Sequence, residues 1–287
     1  MKISVMITTR NRLSDLQRTL AMLMRLDPAP LEILVTADGC TDGTAGFVRE
    51  NYPGATLTVN SVGQGSVASR DRMMRQAAGD LVFSLDDDSY PEQTDCLKPI
   101  ADLFLQRPQL AVAHFPQHTD EHPESLSRTD FGPPCFTRSF ANSGACLRRS
   151  TYLELPGFEP RFFHAFEEPD YALQCIAAGK EVYYVPIITI RHHYSGQSRN
   201  RIRTHHRHAR NQVWSILMRC PFPYSVGLIG CKTLSQFGFA ARQGISWLVR
   251  EPVWWWQALV GIPYCLSHAR PVSWESYKRW FYSSRKA

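Results

Sequence analysis

The 287-residue chain is long enough for one large domain or one and a half ordinary ones, and its 44% apolar and 20% charged content exclude a disordered protein. Its net charge of +6 is unevenly divided: residues 1–195 carry 18 Lys and Arg against 24 Asp and Glu, and residues 196–287 carry 14 against 2. This division suggests that the tail meets something anionic: a membrane surface, a nucleic acid or a phosphorylated ligand.

The cysteines and the apolar segments bear on compartment and membrane topology. The eight cysteines are scattered singly without a Cys-x-x-Cys pair, which argues against a zinc ribbon or a redox motif. No signal peptide opens the chain, and the best apolar stretch, 252–266, is shorter than the roughly 20 residues of a membrane span. We therefore expect a cytoplasmic protein with reduced thiols, located either in solution or at the inner face of the membrane.

Strand-like and helix-like segments alternate through the first 90 residues. The predicted strands are 3–9, 31–38, 56–60 and 80–86, and the predicted helices are 12–26, 44–52 and 66–79. This alternation predicts an α/β fold with a mostly parallel sheet flanked by helices. Such sheets bind ligands at the carboxyl ends of their strands, where Thr9, Asp38 and Asp86 fall.

The pattern continues less regularly to residue 193 and then changes. We predict a helix at 96–108, a strand at 110–115, a strand entering a helix over 140–155, a helix at 167–180 and a strand pair over 181–193. The Pro-rich segment 116–140 is predicted to be a functional lid or a disordered loop. The basic tail is predicted to be helical, and its Trp254-Trp255-Trp256 triplet either lies in a bilayer interface or packs on the main domain.

Three polar clusters stand where chemistry is expected. Asp86 and Asp88 are alternate residues at a strand end and therefore share a face, where two carboxylates suit Mg²⁺ or Mn²⁺. Glu167-Glu168-Pro169-Asp170 follows an aromatic run and opens a helix, so its carboxylates either cap the helix or include a general base. The pair His192-His193 ends a strand and could supply a further metal ligand.

Taken together, these segments resemble a family 2 glycosyltransferase with the GT-A fold over roughly residues 2–195. The resemblance is carried by short motifs in the family's order. They are Thr8-Thr9-Arg10-Asn11-Arg12, Ala37-Asp38-Gly39, Ser69-Arg70-Asp71, Asp86-Asp87-Asp88, Asn142-Ser143-Gly144, Gly157-Phe158-Glu159, Glu167-Glu168-Pro169-Asp170 and Val185-Pro186 followed by His192. Two positions depart from the usual pattern: Ala37 replaces an Asp, and Glu168 stands where Asp is usual.

The resemblance implies a role for each matching residue. It implies a catalytic domain over 1–195 and a helical, basic, aromatic C-terminal extension over 196–287. The implied nucleotide-binding residues are Thr9, Arg10, Asp38, Arg70, Asp86 and Asp87, and the implied metal ligands are Asp86, Asp88 and His192. The implied acceptor-binding residues are Asn142, Ser143, Gly144, Glu167 and Asp170. Glu168 is the implied catalytic base, although Glu167 stays open as an alternative.

The implied activity is inverting, metal-dependent transfer from a UDP-, GDP- or dTDP-sugar to a saccharide or lipid-linked acceptor, in polysaccharide or glycolipid synthesis. Two alternatives are a nucleotidyltransferase of similar fold and a non-catalytic nucleotide-sugar-binding scaffold. The segment after the first strand lacks the glycines that the former class favours. A nucleic-acid partner is not expected, because the tail has no recognisable DNA-binding signature and the first two-thirds are acidic.

Overall fold

The computed structural model describes residues 1–121, 132–193 and 200–283. The predicted boundary between residues 195 and 196 lies outside these ranges, as does the middle of the predicted loop over 116–140. Strands alternate with helices up to residue 193, and the part of the chain described from residue 200 onward is helical. The position of the domain boundary therefore stays a prediction.

The strands of the described residues form two sheets. They are β1 (Ile3–Thr9), β2 (Glu32–Asp38), β3 (Thr56–Asn60), β4 (Leu81–Asp86), β5 (Ser89–Pro91), β6 (Leu110–His114), β7 (Gln117–His118), β8 (Cys135–Phe136), β9 (Ala145–Arg148), β10 (Glu181–Tyr184) and β11 (Ile190–His192). The larger sheet has the order β3-β2-β1-β4-β9-β6-β10-β8, and the smaller one has the order β5-β11-β7.

The larger sheet is parallel where it forms the candidate site. Strands β3, β2, β1 and β4 pair in parallel, so their carboxyl ends meet at one edge. Strand β9 is antiparallel to both of its neighbours, β4 and β6. Every residue of β1 is buried, because helices cover both faces of the sheet. The α/β fold predicted from the alternating pattern, with a mostly parallel sheet flanked by helices, is thereby confirmed.

Helices cover the sheet and form the C-terminal extension. Those of the first part are α1 (Leu13–Leu23), α2 (Thr44–Asn51), α3 (Ser66–Gln76), α4 (Leu97–Gln106), α5 (Arg149–Glu154) and α6 (Glu167–Ala177). Those of the extension are α7 (Arg201–Arg219), α8 (Tyr224–Gln243), α9 (Ile245–Leu248), α10 (Glu251–Val260), α11 (Ile262–Ser267) and α12 (Trp274–Tyr282). The helical extension predicted from the sequence is confirmed.

The smaller sheet brings distant residues to the end of β4. Strand β11 lies between β5 and β7, and its His192 pairs with Ser89 of β5. The backbone N–H of His193 donates to the carbonyl oxygen of Asp88 at 2.8 Å. A histidine about a hundred residues further along the chain is thereby fixed beside the acidic triplet.

The extension packs against the sheet domain. The indole N–H of Trp280 donates to the carbonyl of Arg138 at 2.8 Å, and Arg279 donates to the carbonyl of Ile176 at 2.6 Å. Within the tryptophan triplet, Trp254 is 1% exposed and donates to Glu251, as expected of packing on the protein, whereas Trp256 is 68% exposed, and its location in a bilayer interface stays a prediction. In the ranges that the structure describes, no helix combines the length and hydropathy needed to cross a bilayer.

Candidate active site

The acidic triplet and His192 form the centre of the candidate site. Asp86 is the last residue of β4, and Asp87 and Asp88 form the turn into β5. One ligand atom from each of Asp86, Asp88 and His192 lies within 4.8 Å of the other two. Two carboxylates and an imidazole form a donor set that suits Mn²⁺, and the waters and phosphate oxygens of a substrate complete such shells. The predicted ligand trio is thus brought together, and its residues fit a divalent cation.

The orientation of His192 is fixed by a relay of hydrogen bonds. Its Nδ1 lies 2.8 Å from Oε1 of Gln117, and the amide of Gln117 donates in turn to Oγ of Ser143 at 2.7 Å. This leaves Nε2 of His192 facing Oδ1 of Asp88 at 3.2 Å. Metal-binding histidines are commonly held through their other ring nitrogen in this way. Sequence reasoning missed Gln117, because it lies in an irregular segment without a motif.

A second residue missed at the sequence level, Arg12, neutralises part of the acidic triplet. Its guanidinium lies 2.7 Å from Oδ2 of Asp88 and 3.0 Å from Oδ1 of Asp87. Burial acts to raise the pKa of Asp88, but His192 and Arg12 outweigh it and hold that pKa below its ordinary value. Burial raises the pKa of Asp87 to about 7, with Arg12 acting in the opposite direction. The signal that could have found Arg12 is its place in the motif that follows the first strand.

Arg70 connects the metal side of the site with the acidic helix. It is buried on α3, and its guanidinium forms a short ion pair with Asp86. The other terminal nitrogen lies 3.6 Å from Oε1 of Glu167. One buried cation is therefore shared by a residue of the acidic triplet and by the first residue of α6.

Asp38 organises the loop beside the site. Its carboxylate accepts hydrogen bonds from the Asn60 side chain and from the backbone N–H groups of Gln64 and Gly65, each at 2.8 Å. Gly65 has a φ of +94°, and a Cβ there would collide with the backbone of Phe163, so only glycine fits. The predicted nucleotide contact of Asp38 stays a prediction, since the observed contacts are with the loop itself.

Thr9 and Arg10 lie at the end of β1, beside the same loop. Thr9 is buried and Arg10 is exposed. A Cβ at Gly63 would lie 2.6 Å from Nη1 of Arg10, so the absence of a side chain there leaves room for the guanidinium. The end of β1 and the loop after β3 thus form one wall, adjacent to the acidic triplet.

The two glutamates at the start of α6 have different surroundings. Glu167 is 2% exposed, and its Oε1 accepts a long hydrogen bond of 3.5 Å from Asn142. Glu168 is only half-buried at the surface of the site. The burial of its carboxyl group, followed by the charge of Glu167, raises the pKa of Glu168 to about 8. A carboxylate of this kind is well placed to accept a proton near neutral pH.

The backbone before α6 has an unusual conformation that α7 stabilises. Phe163, Ala165 and Phe166 have φ values of +65°, +73° and +72°, in a region that costs non-glycine residues of order 1 kcal/mol or more. The buried side-chain amide of Asn211 lies within 3.0 Å of the carbonyl oxygens of Phe162, His164 and Ala165. An extension residue therefore holds the turn that leads into the two glutamates.

Asp170 is directed into the junction with the extension. It is 1% exposed and accepts hydrogen bonds from Ser215 at 2.6 Å, from Gln174 at 2.8 Å and from Arg219 at 3.3 Å. These partners favour a structural role, and the predicted acceptor contact of Asp170 stays a prediction. The network was invisible in the sequence, because Ser215 and Arg219 lie more than 40 residues from Asp170 on a helix without a motif.

The segment Asn142-Ser143-Gly144 lies behind the site and is buried throughout. Asn142 contacts Glu167, and Ser143 contacts Gln117, so the segment supports both carboxylate and imidazole groups. A Cβ at Gly144 would lie 2.7 Å from the Ile190 side chain of β11, which explains the glycine at this position. Its predicted acceptor contacts likewise stay predictions.

Comparison with known proteins places this geometry in a class. The family described as "Glycosyl transferase family 2" matches residues 4–183, so the chain belongs to that family and is a glycosyltransferase by class. No curated protein matches the chain. Similarity to solved structures, all below 20% identity, adds support for the GT-A fold alone.

Three solved structures illustrate the likeness. Staphylococcus aureus TarS 1–349 with UDP-GlcNAc has a TM-score of 0.63 and 16% identity, over 94% of this chain and 84% of TarS. Mannosyltransferase PcManGT from Pyrobaculum calidifontis, with GDP-Man and Mn²⁺, has a TM-score of 0.59 and 18% identity, over 92% and 87%. GalNAc-T7 with UDP, GalNAc and Mn²⁺ has a TM-score of 0.62 and 13% identity, over 77% of this chain and only 48% of GalNAc-T7.

Proposed function

We propose that the protein transfers a sugar from a nucleotide-diphosphate sugar to an acceptor hydroxyl with inversion at the anomeric carbon. The observation that carries this proposal is the joining of two chemically distinct acidic groups through one buried arginine. Asp86 lies on one side of Arg70 and the Glu167-Glu168 pair on the other. Direct displacement on a diphosphate sugar is supported by a group of metal ligands beside a carboxylate of raised pKa, and the site contains both.

The donor would lie along the end of β1 and the loop after β3. Thr9, Arg10 and Asp38 border this region, and Arg70 closes it beside Asp86. Asp87 would help to fix the turn through Arg12, on the side of the donor sugar. The structures of TarS, PcManGT and GalNAc-T7 contain UDP-GlcNAc, GDP-Man and UDP, which supports a nucleotide-sugar donor without favouring UDP, GDP or dTDP.

Asp86, Asp88 and His192 would hold a divalent cation, with Mn²⁺ suited to their mixed oxygen and nitrogen donors. When bound, such a cation neutralises charge that grows on the leaving diphosphate. The chain's own residues then supply the remaining chemistry. Glu168 would accept the proton of the acceptor hydroxyl as that oxygen attacks, and Glu167 would remain paired with Arg70. One base without a covalent intermediate gives inversion.

A panel of UDP-, GDP- and dTDP-sugars with Mn²⁺ tests the proposed donor class. We expect slow hydrolysis of one nucleotide class, stimulated by the metal, because water can replace the acceptor. Absence of both turnover and binding across the panel would refute the transferase proposal. Release of diphosphate from a nucleoside triphosphate would instead favour the nucleotidyltransferase alternative, and binding without turnover would favour the scaffold alternative.

We further propose that the extension contacts the inner face of a membrane and that the acceptor is a saccharide of a polysaccharide or glycolipid pathway, carried on a lipid. Exposed apolar side chains are concentrated on the extension. They include Phe222, Leu234, Phe237, Ile245, Val249, Val253, Trp256, Leu259 and Val260. An apolar surface of this kind beside many arginines is typical of interfacial helices.

Flotation with vesicles containing anionic lipids tests the membrane contact. We expect the protein to float, and Trp256→Ser to weaken flotation severalfold, because an exposed indole favours the bilayer interface. Leu105→Ser, at a residue that is 59% exposed on α4 of the sheet domain, serves as the matched control. A protein that stays wholly in the unbound fraction would contradict the membrane contact while leaving the transferase proposal intact.

A further inference from the structure

A cavity of about 510 Å³ in the extension is lined by arginines. It lies between α7, α10 and the turn before Phe163. Its basic lining residues are Arg161, Arg203, Arg207, Arg210, Arg250 and His206. Among the residues that the structure describes, no aspartate or glutamate lines it. Five guanidinium groups therefore share one small space without an acidic group on its walls.

Three of the five guanidinium groups lie over aromatic rings, and that of Arg210 also donates to the Phe162 carbonyl and to the Asn211 side chain. Arg161 lies 3.7 Å from the ring centre of Tyr264, Arg207 lies 4.2 Å from that of Phe163, and Arg210 lies over Trp214. Within the described ranges of the chain, none of the five arginines forms an ion pair with a carboxylate. Stacking on a ring face leaves the edge of a guanidinium, with its N–H donors, available to a ligand.

The cavity concentrates positive charge that the protein offsets only in part, since Oε1 of the buried Glu251 lies 3.9 Å from Nε2 of His206. Burial lowers the pKa of Arg207, and the nearby charges of Arg203 and Arg10 lower it further. Burial and the charge of Arg207 lower the pKa of Arg210 to about 10. The Nε2 atom of His206 is buried and makes no hydrogen bond with any described residue. A bound anion would offset this charge and satisfy that nitrogen.

The position of the cavity links it to the candidate active site. Phe163, which lines the cavity, accepts a hydrogen bond of 3.4 Å from the backbone N–H of Val67, next to the loop that Asp38 holds. Phe163 is also four residues before Glu167 in the chain. A group bound in the cavity would therefore lie beside the candidate active site, between the loop after β3 and the turn that leads into Glu167.

The outer side of the cavity continues into an apolar surface. Val253 and Gln257 of α10 line the cavity, and Val253, Trp256 and Val260 are about half exposed or more. Residues three, four and seven positions apart share one face of a helix. A charged cavity thus borders an apolar helix face, as expected of a site for an anionic group that carries a lipid chain.

We propose that this arginine cavity binds the phosphate or diphosphate group of a lipid-phosphate acceptor, whose lipid chain lies on the exposed apolar face of α10. The proposal deepens the proposed function and rests on it, since it names the chemical class of the acceptor. Arginine forks match phosphate oxygens in bidentate geometry. The volume suits a compact group, whereas a nucleic acid would need an extended basic groove, and residues 1–195 carry net negative charge.

The decisive experiment compares two acceptors that carry the same saccharide, one on a lipid diphosphate and one on an uncharged lipid. We expect Arg203→Ala/Arg250→Ala to lower the preference for the diphosphate acceptor, as a ratio of kcat/KM values, by about tenfold or more. Both arginines are exposed, so their loss leaves no cavity in the core. The matched control is Arg242→Ala, an exposed arginine of the extension outside the cavity, which should leave the ratio unchanged.

Three results would overturn the proposal. The first is an unchanged ratio in the double variant, and the second is an equal loss of preference in the Arg242→Ala control. The third is a rise in donor KM alone, which would assign the cavity to the donor's diphosphate. A further contradicting result could come from flotation of the same variants on vesicles with and without phosphatidylglycerol. A loss of flotation with an unchanged kcat/KM ratio would assign the arginines to bulk lipid headgroups.

A binding measurement separates failure of this proposal from failure of the proposed function. Calorimetry with geranyl diphosphate, geraniol and inorganic diphosphate needs no transfer activity. We expect geranyl diphosphate to bind at least about tenfold more tightly than either other probe, and Arg203→Ala/Arg250→Ala to remove that difference. If transfer fails but this binding holds, the function is wrong and the site stands. If geranyl diphosphate binds no better than geraniol, the site is wrong.

Discussion

Two buried acidic networks, one at the end of β4 and one between α6 and α7, differ in how their charges are matched. At the end of β4, each cation has more than one acidic partner or a partner that is itself shared. Arg12 pairs with both Asp87 and Asp88, and His192 lies beside Asp88. Arg70 pairs with both Asp86 and Glu167. Between α6 and α7, a single carboxylate, that of Asp170, receives donors from three side chains.

The difference indicates which network is completed by the protein and which by a ligand. Asp170 has no acidic neighbour competing for its partners, so the folded chain alone satisfies it. The acidic triplet keeps more negative charge than its arginines offset, a surplus suited to a divalent cation. The following predictions test this contrast between a reactive network and a structural one.

The largest expected effect is on the rate of sugar transfer and comes from replacing Glu168 in the candidate active site. Glu168→Gln should lower transfer by about 10²–10⁴-fold, because an amide cannot accept the acceptor proton, while nucleotide binding is retained. The measurements are single-turnover transfer and donor affinity. Glu167→Gln is the paired variant, with a smaller expected loss since Glu167 is enclosed beside Arg70. A larger loss of transfer in Glu167→Gln than in Glu168→Gln would mean that Glu167, and not Glu168, is the base.

On the structural side, Arg219→Ala should lower the free energy of unfolding by about 3–5 kcal/mol. Arg219 is buried, and its removal leaves the carboxylate of Asp170 in the interior without its cation. Chemical denaturation measures the change. Arg242→Ala, at an exposed position, should alter stability by no more than about 0.5 kcal/mol. A loss below 1 kcal/mol in Arg219→Ala would show that Asp170 does not depend on this junction.

Asn211 of α7 holds the turn that leads into the two glutamates of α6, and its replacement sharpens the contrast. Asn211→Asp is isosteric but sets a carboxylate against three carbonyl oxygens. We expect a loss of about 1–3 kcal/mol in stability and a fall in kcat with donor affinity retained, because the turn before Glu167 is disturbed. Thr204→Asp adds the same charge at an exposed position of α7 and is the control. Equal behaviour of the two variants would contradict a positioning role for Asn211.

The smallest expected effect is on the pH dependence. The pKa of Glu168 is raised to about 8 from its ordinary 4.5, so the base is ionised only above that pH. We expect transfer to fall by up to about tenfold for each pH unit below 8. Stability should move in the opposite direction: the cost of ionising a buried carboxyl is absent below pH 4.5 and fully present above pH 8. Rate profiles and thermal midpoints of wild type and Glu168→Gln measure both trends.

The sequence was sufficient for those features that depend on local pattern. Alternating apolar segments predicted the sheet, and the carboxyl ends of its strands predicted where Asp38 and Asp86 lie. The trio Asp86, Asp88 and His192 was assembled from a family resemblance, and the structure brings its atoms together.

The rest depends on packing between segments that no local pattern connects. Gln117 orients His192 from the two-residue strand β7, and Asn211 reaches Ala165, in the turn before α6, across 46 residues of the chain. Trp254 and Trp256 are close in sequence, yet helical geometry buries one and exposes the other. Such pairings are fixed by tertiary contact, which composition and periodicity do not encode.

The left-handed turn before α6 has a consequence for how such enzymes can diversify. Its conformation is maintained from α7, so the turn before Glu167 and Glu168 depends on the extension. A recombination event that joined this extension to the catalytic part of another family member would have to preserve the match between Asn211 and the 162–165 carbonyls. We therefore expect working chimeras to keep α6 and α7 from the same parent.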